Sequence, residues 1–165
     1  MPYQNFYYFF SLSANRNWSE IYKNGEKKDG VYTIKPDNST AFAVFCDQTT
    51  AGGGWTVFQK RLDGSVDFFL NWRDYKVGFG DLNGEFWLGL DKIHRLTSDN
   101  NIMLRVDLED FEGDTAYAEY NKFGVMSEND KYKLLLGSYS GDSVSFLSLR
   151  IRLLSNQFCK SRLGI

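Results

Sequence analysis

The sequence predicts an α+β domain built on a mostly antiparallel sheet, with short helices and long loops rich in glycine and aromatic residues. Several short segments alternate apolar and polar residues with period two and end at turn residues, which is the pattern of strands. The segment Asn71–Gly89 instead alternates large aromatic residues with glycines. That composition is typical of a compact, loop-rich core rather than a long helix, because rings supply buried area and glycines let the backbone pass close by.

Three consecutive glycines, Gly52–Gly54, precede a predicted strand that begins at Trp55. In that strand Trp55, Val57 and Gln59 share one face, and the residues between them share the other. Ala41–Cys46 predicts the preceding strand, so the glycines form the turn of a sheet pair. No Gly-Lys-Ser/Thr string follows and no helix begins here, which excludes a phosphate-binding loop.

The other elements follow from the same patterns. Further strands are predicted at Gly30–Ile34, Ile102–Glu109, Thr115–Tyr120 and Lys131–Leu136. The second of these shows the clearest alternation, and the turn at Glu112–Asp114 pairs it with the third as an antiparallel hairpin. A short helix is predicted over Asp91–Thr97, with Asp91 as its N-cap and with Ile93 and Leu96 facing inward.

The charge distribution predicts three segments. The net charge of -2 gives no indication of a nucleic-acid partner. No acidic residue follows Asp142, whereas four of the 19 basic residues do (+4), and the remaining 15 basic residues face 21 acidic ones (-6). Such a break marks a change of segment. We therefore expect an N-terminal segment of unclear status at 1–16, a domain at 17–142 and a divergent basic tail at 143–165.

The two ends leave alternatives open. Residues 1–14 contain the aromatic patch Phe6–Phe10 but lack the basic region and the continuous apolar stretch of a usual signal peptide. A signal peptide, an incomplete N-terminus and an extra strand all remain open for this segment. The alternating run Ser145–Leu154 favours either a strand that covers a sheet edge or an aggregation-prone end. No apolar run reaches membrane-spanning length.

Residue chemistry argues against an enzyme. The single histidine, His94, lies in the predicted helix without a Gly-x-Ser-x-Gly elbow, so a structural histidine is favoured over a catalytic base, and a small hydrolase is only a formal alternative. One histidine and two distant cysteines do not make a zinc site. The acidic run Asp107–Asp114 occupies a strand and its turn, which favours a solvated or locally paired face over a calcium site. We predict no catalytic residue, no metal ligand and no cofactor.

Six strings then occur in one order: Gly52–Val57, Arg61–Phe68, Gly78–Leu82, Gly84–Gly89, Leu104–Gly113 and Tyr139–Gly141. Together they resemble the fibrinogen C-terminal domain family, the fibrinogen-related group with ficolin, tenascin and angiopoietin types. The resemblance extends from Asn17 to about Asp142 and covers a little over half of a family domain. It implies a C-terminally truncated fibrinogen-like fold with its core in three regions: the strands of Ala41–Arg61, the aromatic segment Trp72–Trp87 and the hairpin Ile102–Tyr120.

The resemblance also implies a function. It indicates a secreted, extracellular, lectin-like recognition or adhesion module with an extracellular protein or glycan as partner. The family's calcium loop and second disulfide follow the point at which this sequence departs from the family. So does the pocket that binds acetylated sugars, acetyl groups or peptide ends in many members. We therefore expect no calcium site here and assign no ligand residue. The alternative is a truncated or altered gene product with no independent binding function.

Disulfide and glycosylation candidates depend on that resemblance. In the family, a cysteine in the position of Cys46 pairs with an upstream cysteine, and that upstream slot holds Trp18 here. A buried free thiol is therefore favoured, while a bridge to Cys159 remains open. Asn17 and Asn38 each begin a glycosylation sequon, which matters if the protein is secreted.

Overall fold

The computed structural model describes residues 7–13, 28–98, 101–110 and 112–141. Its strands are β1 (Tyr7–Ser13), β2 (Gly30–Ile34), β3 (Phe42–Asp47), β4 (Trp55–Arg61), β5 (Phe79–Gly80), β6 (Phe86–Trp87), β7 (Leu104–Glu109), β8 (Thr115–Tyr120), β9 (Phe123–Val125), β10 (Leu134–Leu136) and β11 (Tyr139–Gly141). The α-helices are α1 (Trp72–Val77) and α2 (Leu90–Leu96), and single 3₁₀ turns occupy Thr50–Gly52 and Glu128–Asp130. The α+β class predicted from the sequence is confirmed.

One large sheet organises the described residues. Its strand order is β11-β8-β7-β1-β4-β3-β2, and every pairing is antiparallel. The short strands β5 and β6 branch from the second half of β4, where Gln59 pairs with Trp87 and Lys60 with Phe86. Strands β9 and β10 form a separate two-stranded sheet. The predicted hairpin of β7 and β8 is confirmed, with Leu104 opposite Tyr120.

The strand at Tyr7–Ser13 joins the two halves of this sheet. It pairs with β4 on one side and with β7 on the other, and the register against β4 shifts between Phe10 and Ser11. Among the described strands no other pairing links the β2-β3-β4 half to the β7-β8-β11 half. Leu12 in this strand is buried. An extra strand was one of the alternatives left open for the N-terminal segment, and the fold places a strand there.

The core lies between the sheet and the two helices. Its most completely buried side chains include Val44, Phe86, Ile93, Leu104 and Val106. Phe58 on β4 stacks on Phe123 of β9 at 5.7 Å between ring centroids and meets Trp87 of β6 edge-on at 5.9 Å. These ring contacts join the large sheet, the small sheet and the aromatic segment into one core. The first five residues of β4 are buried on both faces, as the alternation indicated for at least one face.

Two boundary predictions are wrong. The helix predicted at Asp91 begins one residue earlier, and its N-cap is Gly89 rather than Asp91. Asp91 instead accepts a hydrogen bond from the hydroxyl of Tyr132. The strand predicted over Lys131–Leu136 is confined to Leu134–Leu136, because Lys131 and Tyr132 adopt left-handed backbone angles (φ +60° and +51°) that interrupt an extended backbone.

The aromatic segment, which the glycine-rich sequence predicted to be mostly loop, contains a short helix. Helix α1 begins after Asn71, whose side-chain oxygen accepts from the backbone N–H groups of Arg73 and Asp74 at 2.9 and 3.3 Å. It ends after six residues at Gly78 (φ +103°). The predicted glycine turn before β4 is present: Gly53 has φ +82°, and a Cβ there would lie 2.3 Å from the carbonyl oxygen of Gln48.

Several sequence-based predictions fall outside the described residues. They concern the tail after Asp142, the candidate bridge partners Trp18 and Cys159, and the sequon at Asn17. The boundaries at 16 and 142 remain predictions. No helix in the described ranges is long and apolar enough to cross a membrane.

Candidate functional site

A shallow groove of about 290 Å³ lies where β5, β6, α2 and the end of α1 meet. It is lined by apolar side chains, two glycines and one charged residue: Ala43, Phe79, Leu82, Phe86, Trp87, Leu88, Gly78, Gly80 and Lys92. Ligand sites on proteins are typically concave and mostly apolar, with few polar groups. The volume is close to the lower end of the usual range of roughly 300–1,000 Å³, which suits one side chain or a fragment-sized ligand.

Two glycines create the backbone geometry beneath the groove. A Cβ on Gly78 would lie 2.3 Å from the carbonyl oxygen of Leu88, and one on Gly89 would lie 2.4 Å from the carbonyl oxygen of Val77. Both glycines have positive φ, +103° and +106°. No other residue permits such an approach. The end of α1 therefore packs directly on the segment that leaves β6, and the two carbonyl groups lie side by side.

Lys92 uses those two carbonyl groups. Its Nζ donates to the carbonyl oxygen of Val77 at 2.6 Å and to that of Leu88 at 3.2 Å. Burial lowers the pKa of Lys92, and the nearby charge of Arg95 lowers it further, while Asp91 acts in the opposite direction. The carbonyl oxygens hold the ammonium group at the groove without neutralising it. An ammonium has three N–H donors, so one is available beyond these two hydrogen bonds.

The wall of the groove is rigid because its rings are packed against one another. Tyr75 lies 5.2 Å from Phe79 and 5.7 Å from Trp87 between ring centroids. Trp87 Nε1 donates to the backbone carbonyl of Tyr75 at 2.7 Å, and the Tyr75 hydroxyl donates to the carbonyl of Phe68 at 2.7 Å. Both polar ends of these large side chains are therefore satisfied. A preformed groove binds with a smaller ordering cost than a flexible one.

A buried carboxylate holds the neighbouring loop. The Glu85 side chain is 1% exposed and accepts backbone N–H groups of four residues at 2.7 to 3.0 Å: Leu62, Asp63, Gly64 and Val66. Burial alone would raise the pKa of Glu85, but these hydrogen bonds outweigh it and the pKa is lowered. Arg61 lies 3.4 Å from the same carboxylate and stacks over Phe68 at 3.8 Å. The sequence analysis did not predict that Glu85 accepts the N–H groups of this loop. The signal available was a single acidic residue among the glycine and apolar residues of Gly84–Leu88.

Three acidic side chains converge at the β7–β8 turn. Oxygen atoms of Asp110, Glu112 and Asp114 lie within 4.8 Å of one another, so these are the described residues that could hold a metal ion. Asp110 Oδ1 already accepts the backbone N–H groups of Glu112 and Asp114 at 2.9 and 3.0 Å, which is the hydrogen bonding of a turn. The preference for a solvated face over a calcium site remains a prediction.

The strand before that turn carries an ion-pair network. Arg105 lies 2.7 Å from Asp107 on its own strand and 2.7 Å from Glu119, which is opposite it on β8. Its guanidinium also lies over the Tyr117 ring at 4.5 Å. Part of the acidic run is therefore locally paired, which is one of the two structural interpretations of the sequence. The pKa of Asp107 is nevertheless raised, because burial outweighs the contribution of Arg105.

The only histidine is engaged in a structural contact. His94 Nδ1 lies 2.7 Å from the backbone carbonyl oxygen of Val125, to which a ring N–H donates. That bond ties α2 to β9. The hydroxyl of Ser98 donates to the backbone carbonyl of His94 rather than to its ring. This geometry supports the interpretation of His94 as a structural residue.

Cys46 and Asn38 are the described members of the predicted disulfide and glycosylation sets. Cys46 is fully buried on β3, and burial raises the pKa of its thiol to about 12. Whether it pairs with Cys159 stays untested. Asn38 lies exposed in the turn between β2 and β3, next to Asp37, which binds Arg95 of α2 through both carboxylate oxygens.

The protein belongs to the family described as the C-terminal globular domain of the fibrinogen beta and gamma chains, whose sequence model matches residues 14–160. Members of this domain family are non-enzymatic binding modules. The sequence is 52% identical over 135 residues to fibrinogen C domain-containing protein 1 of Xenopus tropicalis, covering 78% of this protein and 30% of that one. It is 49% identical over 149 residues to human microfibril-associated glycoprotein 4, covering 84% and 58%.

Solved structures agree with this membership. The fibrinogen-like globe domain of human ANGPTL6 is 44% identical with a TM-score of 0.75, over 81% of this protein and 60% of that one. Lamprey fibrin D-dimer, complexed with the peptide ligand Gly-His-Arg-Pro-amide, is 42% identical with a TM-score of 0.71, over 79% and 42%. The sequence thus spans less than two thirds of each of these four proteins.

Proposed function

We propose that this protein is an extracellular, non-enzymatic recognition or adhesion module of the fibrinogen-related, lectin-like type, and that it lacks the family's calcium loop and ligand pocket. The observation that carries the proposal is its membership of a family of binding modules, together with an intact aromatic scaffold in the described residues. Its partner is an extracellular protein or glycan. Lamprey fibrin binds a peptide, which supports a peptide or protein partner here by analogy.

The proposal excludes catalysis in this protein. The His94 ring contacts a backbone carbonyl rather than a nucleophile, and the buried Cys46 thiol has a pKa of about 12, which is too high for a reactive thiolate at neutral pH. Secretion is supported by the family, and in a secreted protein the exposed Asn38 would be accessible to glycosylation.

The test uses the full-length protein expressed through a secretory pathway. Purified protein is passed over immobilised extracellular matrix proteins and acetylated glycans, in calcium and after chelation. We expect saturable binding that chelation leaves unchanged, and a mass decrease on glycosidase treatment that Asn38→Gln reduces. Calcium-dependent binding would show that a calcium pocket is present after all. Ester hydrolysis that disappears in His94→Ala would overturn the assignment as a non-enzyme.

The second candidate is a truncated or altered product without independent binding. It is favoured by apolar side chains left open on the last described strands: Leu136 is 39% and Tyr139 38% exposed. The Tyr139 ring lies 5.6 Å from the ring of Tyr120, which packs against the core. The exposed Tyr139 side chain therefore lies at the edge of the core. Reading the transcript beyond Asp142 in the other frames tests this candidate: Asp-x-Asp and Asn-Cys strings there would support it. A folded protein that binds none of the immobilised surfaces would also support it.

A further inference from the structure

We propose that the groove beside β5 binds the C-terminal residue of an extended partner peptide, with an apolar side chain in the groove and the terminal carboxylate on Lys92. The inference rests on the proposed function, since it names the chemistry of one protein partner. It concerns a surface formed entirely by described residues of this protein.

The apolar half of the ligand follows from the lining. Phe79 and Leu82 supply the half-buried side-chain surface, and Ala43 leaves space on the β3 side. A volume of about 290 Å³ is too small for a large ligand and suits one aromatic or branched aliphatic side chain. Burial of one such group favours binding through the hydrophobic effect.

The carboxylate half follows from charge complementarity. Lys92 is the one charged residue among the described residues that line the groove. Its Nζ is fixed by the carbonyl oxygens of Val77 and Leu88, at 2.6 and 3.2 Å, so it is already oriented before a ligand arrives. Burial lowers the pKa of this ammonium group, and a carboxylate beside it would favour the charged form again. An anion therefore gains a charge-assisted hydrogen bond that a neutral amide does not.

An extended peptide, rather than a free acid, is indicated by the strand next to the groove. Among the described strands β5 pairs only with β6, so no described strand occupies the other edge of Phe79–Gly80. Peptides commonly add to such an edge through main-chain hydrogen bonds. Val77, whose carbonyl holds Lys92, lies two residues before β5. Lys92 therefore lies near the first residue of β5. A peptide that paired with β5 in the antiparallel direction would end there, with its terminal carboxylate near Lys92.

The experiment measures binding of Gly-Ser-Gly-Phe to the full-length protein by titration calorimetry, beside the same peptide with an amidated C-terminus and beside 3-phenylpropanoate. We expect the free-acid tetrapeptide to bind at least about tenfold more tightly than either. Lys92→Met should reduce its affinity to that of the amidated peptide, and Lys92→Arg should restore part of the difference. Ala43→Trp, at an exposed strand position, should abolish binding by filling the groove.

The matched control is Lys133→Met, an exposed lysine outside the groove, which should bind like the unmodified protein. Equal affinity for the free and amidated peptides would overturn the inference, and so would binding that survives both Lys92→Met and Ala43→Trp. Equal binding of 3-phenylpropanoate would overturn the peptide assignment in favour of a small-acid site. If no peptide binds while the protein still binds an extracellular protein or glycan, this inference fails and the proposed function stands. Ala43→Trp does not alter Lys92 or its hydrogen bonds. It therefore still tests the groove if Lys92→Met proves too unstable to measure.

Discussion

The sharpest prediction concerns Glu85, whose carboxylate organises the loop next to the groove. Glu85→Ala removes the acceptor of four backbone N–H groups and of the Arg61 guanidinium. Hydrogen bonds to charged groups contribute roughly 1.5–3 kcal/mol each, and the loop donors can partly rehydrate, so we expect a loss of about 3–5 kcal/mol in the free energy of unfolding. For a domain of this size, that loss lowers the melting temperature by about 6–20 °C.

Glu85→Gln removes the negative charge and keeps a side chain of nearly the same size, so it tests the contribution of the charge to stability. Its amide keeps one acceptor oxygen but turns an NH₂ group toward a backbone donor, so about 2–3 kcal/mol should be lost. The assay is urea unfolding followed by tryptophan fluorescence, with Glu109→Gln, an exposed acid, as a control expected to stay within about 0.5 kcal/mol. A Glu85→Ala variant as stable as that control would refute the reasoning.

The pH dependence of the Glu85 effect has a definite sign. The pKa of Glu85 is lower in the folded state than its ordinary value of 4.5. Its contribution to stability is therefore present above the unfolded pKa and is lost as the pH falls through the folded pKa. The stability difference between the unmodified protein and Glu85→Gln should shrink on acidification below that ordinary value. A difference that grows instead would contradict the assigned hydrogen bonding.

Four further results are expected. Lys131→Gly should stabilise the protein by about 0.5–1 kcal/mol in urea unfolding, because it relieves a left-handed φ of +60°, and no gain would argue against that conformation. Cys46, with a thiol pKa of about 12, should resist iodoacetamide at mildly alkaline pH until the protein is denatured, and rapid native labelling at Cys46 would contradict its burial. Trp87→Phe deletes a 2.7 Å hydrogen bond to Tyr75 and should cost about 1–3 kcal/mol, whereas a neutral change would show that the bond is dispensable. Millimolar calcium should leave the melting temperature unchanged, and a clear rise would contradict the predicted absence of a calcium site.

Local patterns predicted the regular part of the fold. The alternation of Ile102–Glu109 and the turn after it were sufficient to predict the β7–β8 hairpin, because both strands carry the period-two signal and lie close in sequence. The three glycines before β4 likewise predicted a turn that only glycine permits. Each of these signals depends on neighbouring residues alone.

The same local patterns could not predict which strands pair when they are far apart in the sequence. The strand at Tyr7–Ser13 reads as an aromatic patch, and only its partners, far along the sequence, define it as the central strand. Lys131 and Tyr132 look compatible with a strand, but they follow the 3₁₀ turn Glu128–Asp130 with positive φ. The Tyr132 hydroxyl then donates to Asp91, a contact that is far away in sequence. The groove escaped prediction because it arises from four elements and two glycine contacts rather than from any motif.

The central claim is that this scaffold acts by binding at its surface. Surface plasmon resonance of the secreted full-length protein over immobilised extracellular proteins and glycans tests it directly, with the destabilised Glu85→Ala variant as the paired analyte. The account predicts saturable binding by the folded protein and its loss in the variant above the variant's melting temperature. Equal signals from folded and unfolded protein, or none from a protein shown to be folded, would contradict it.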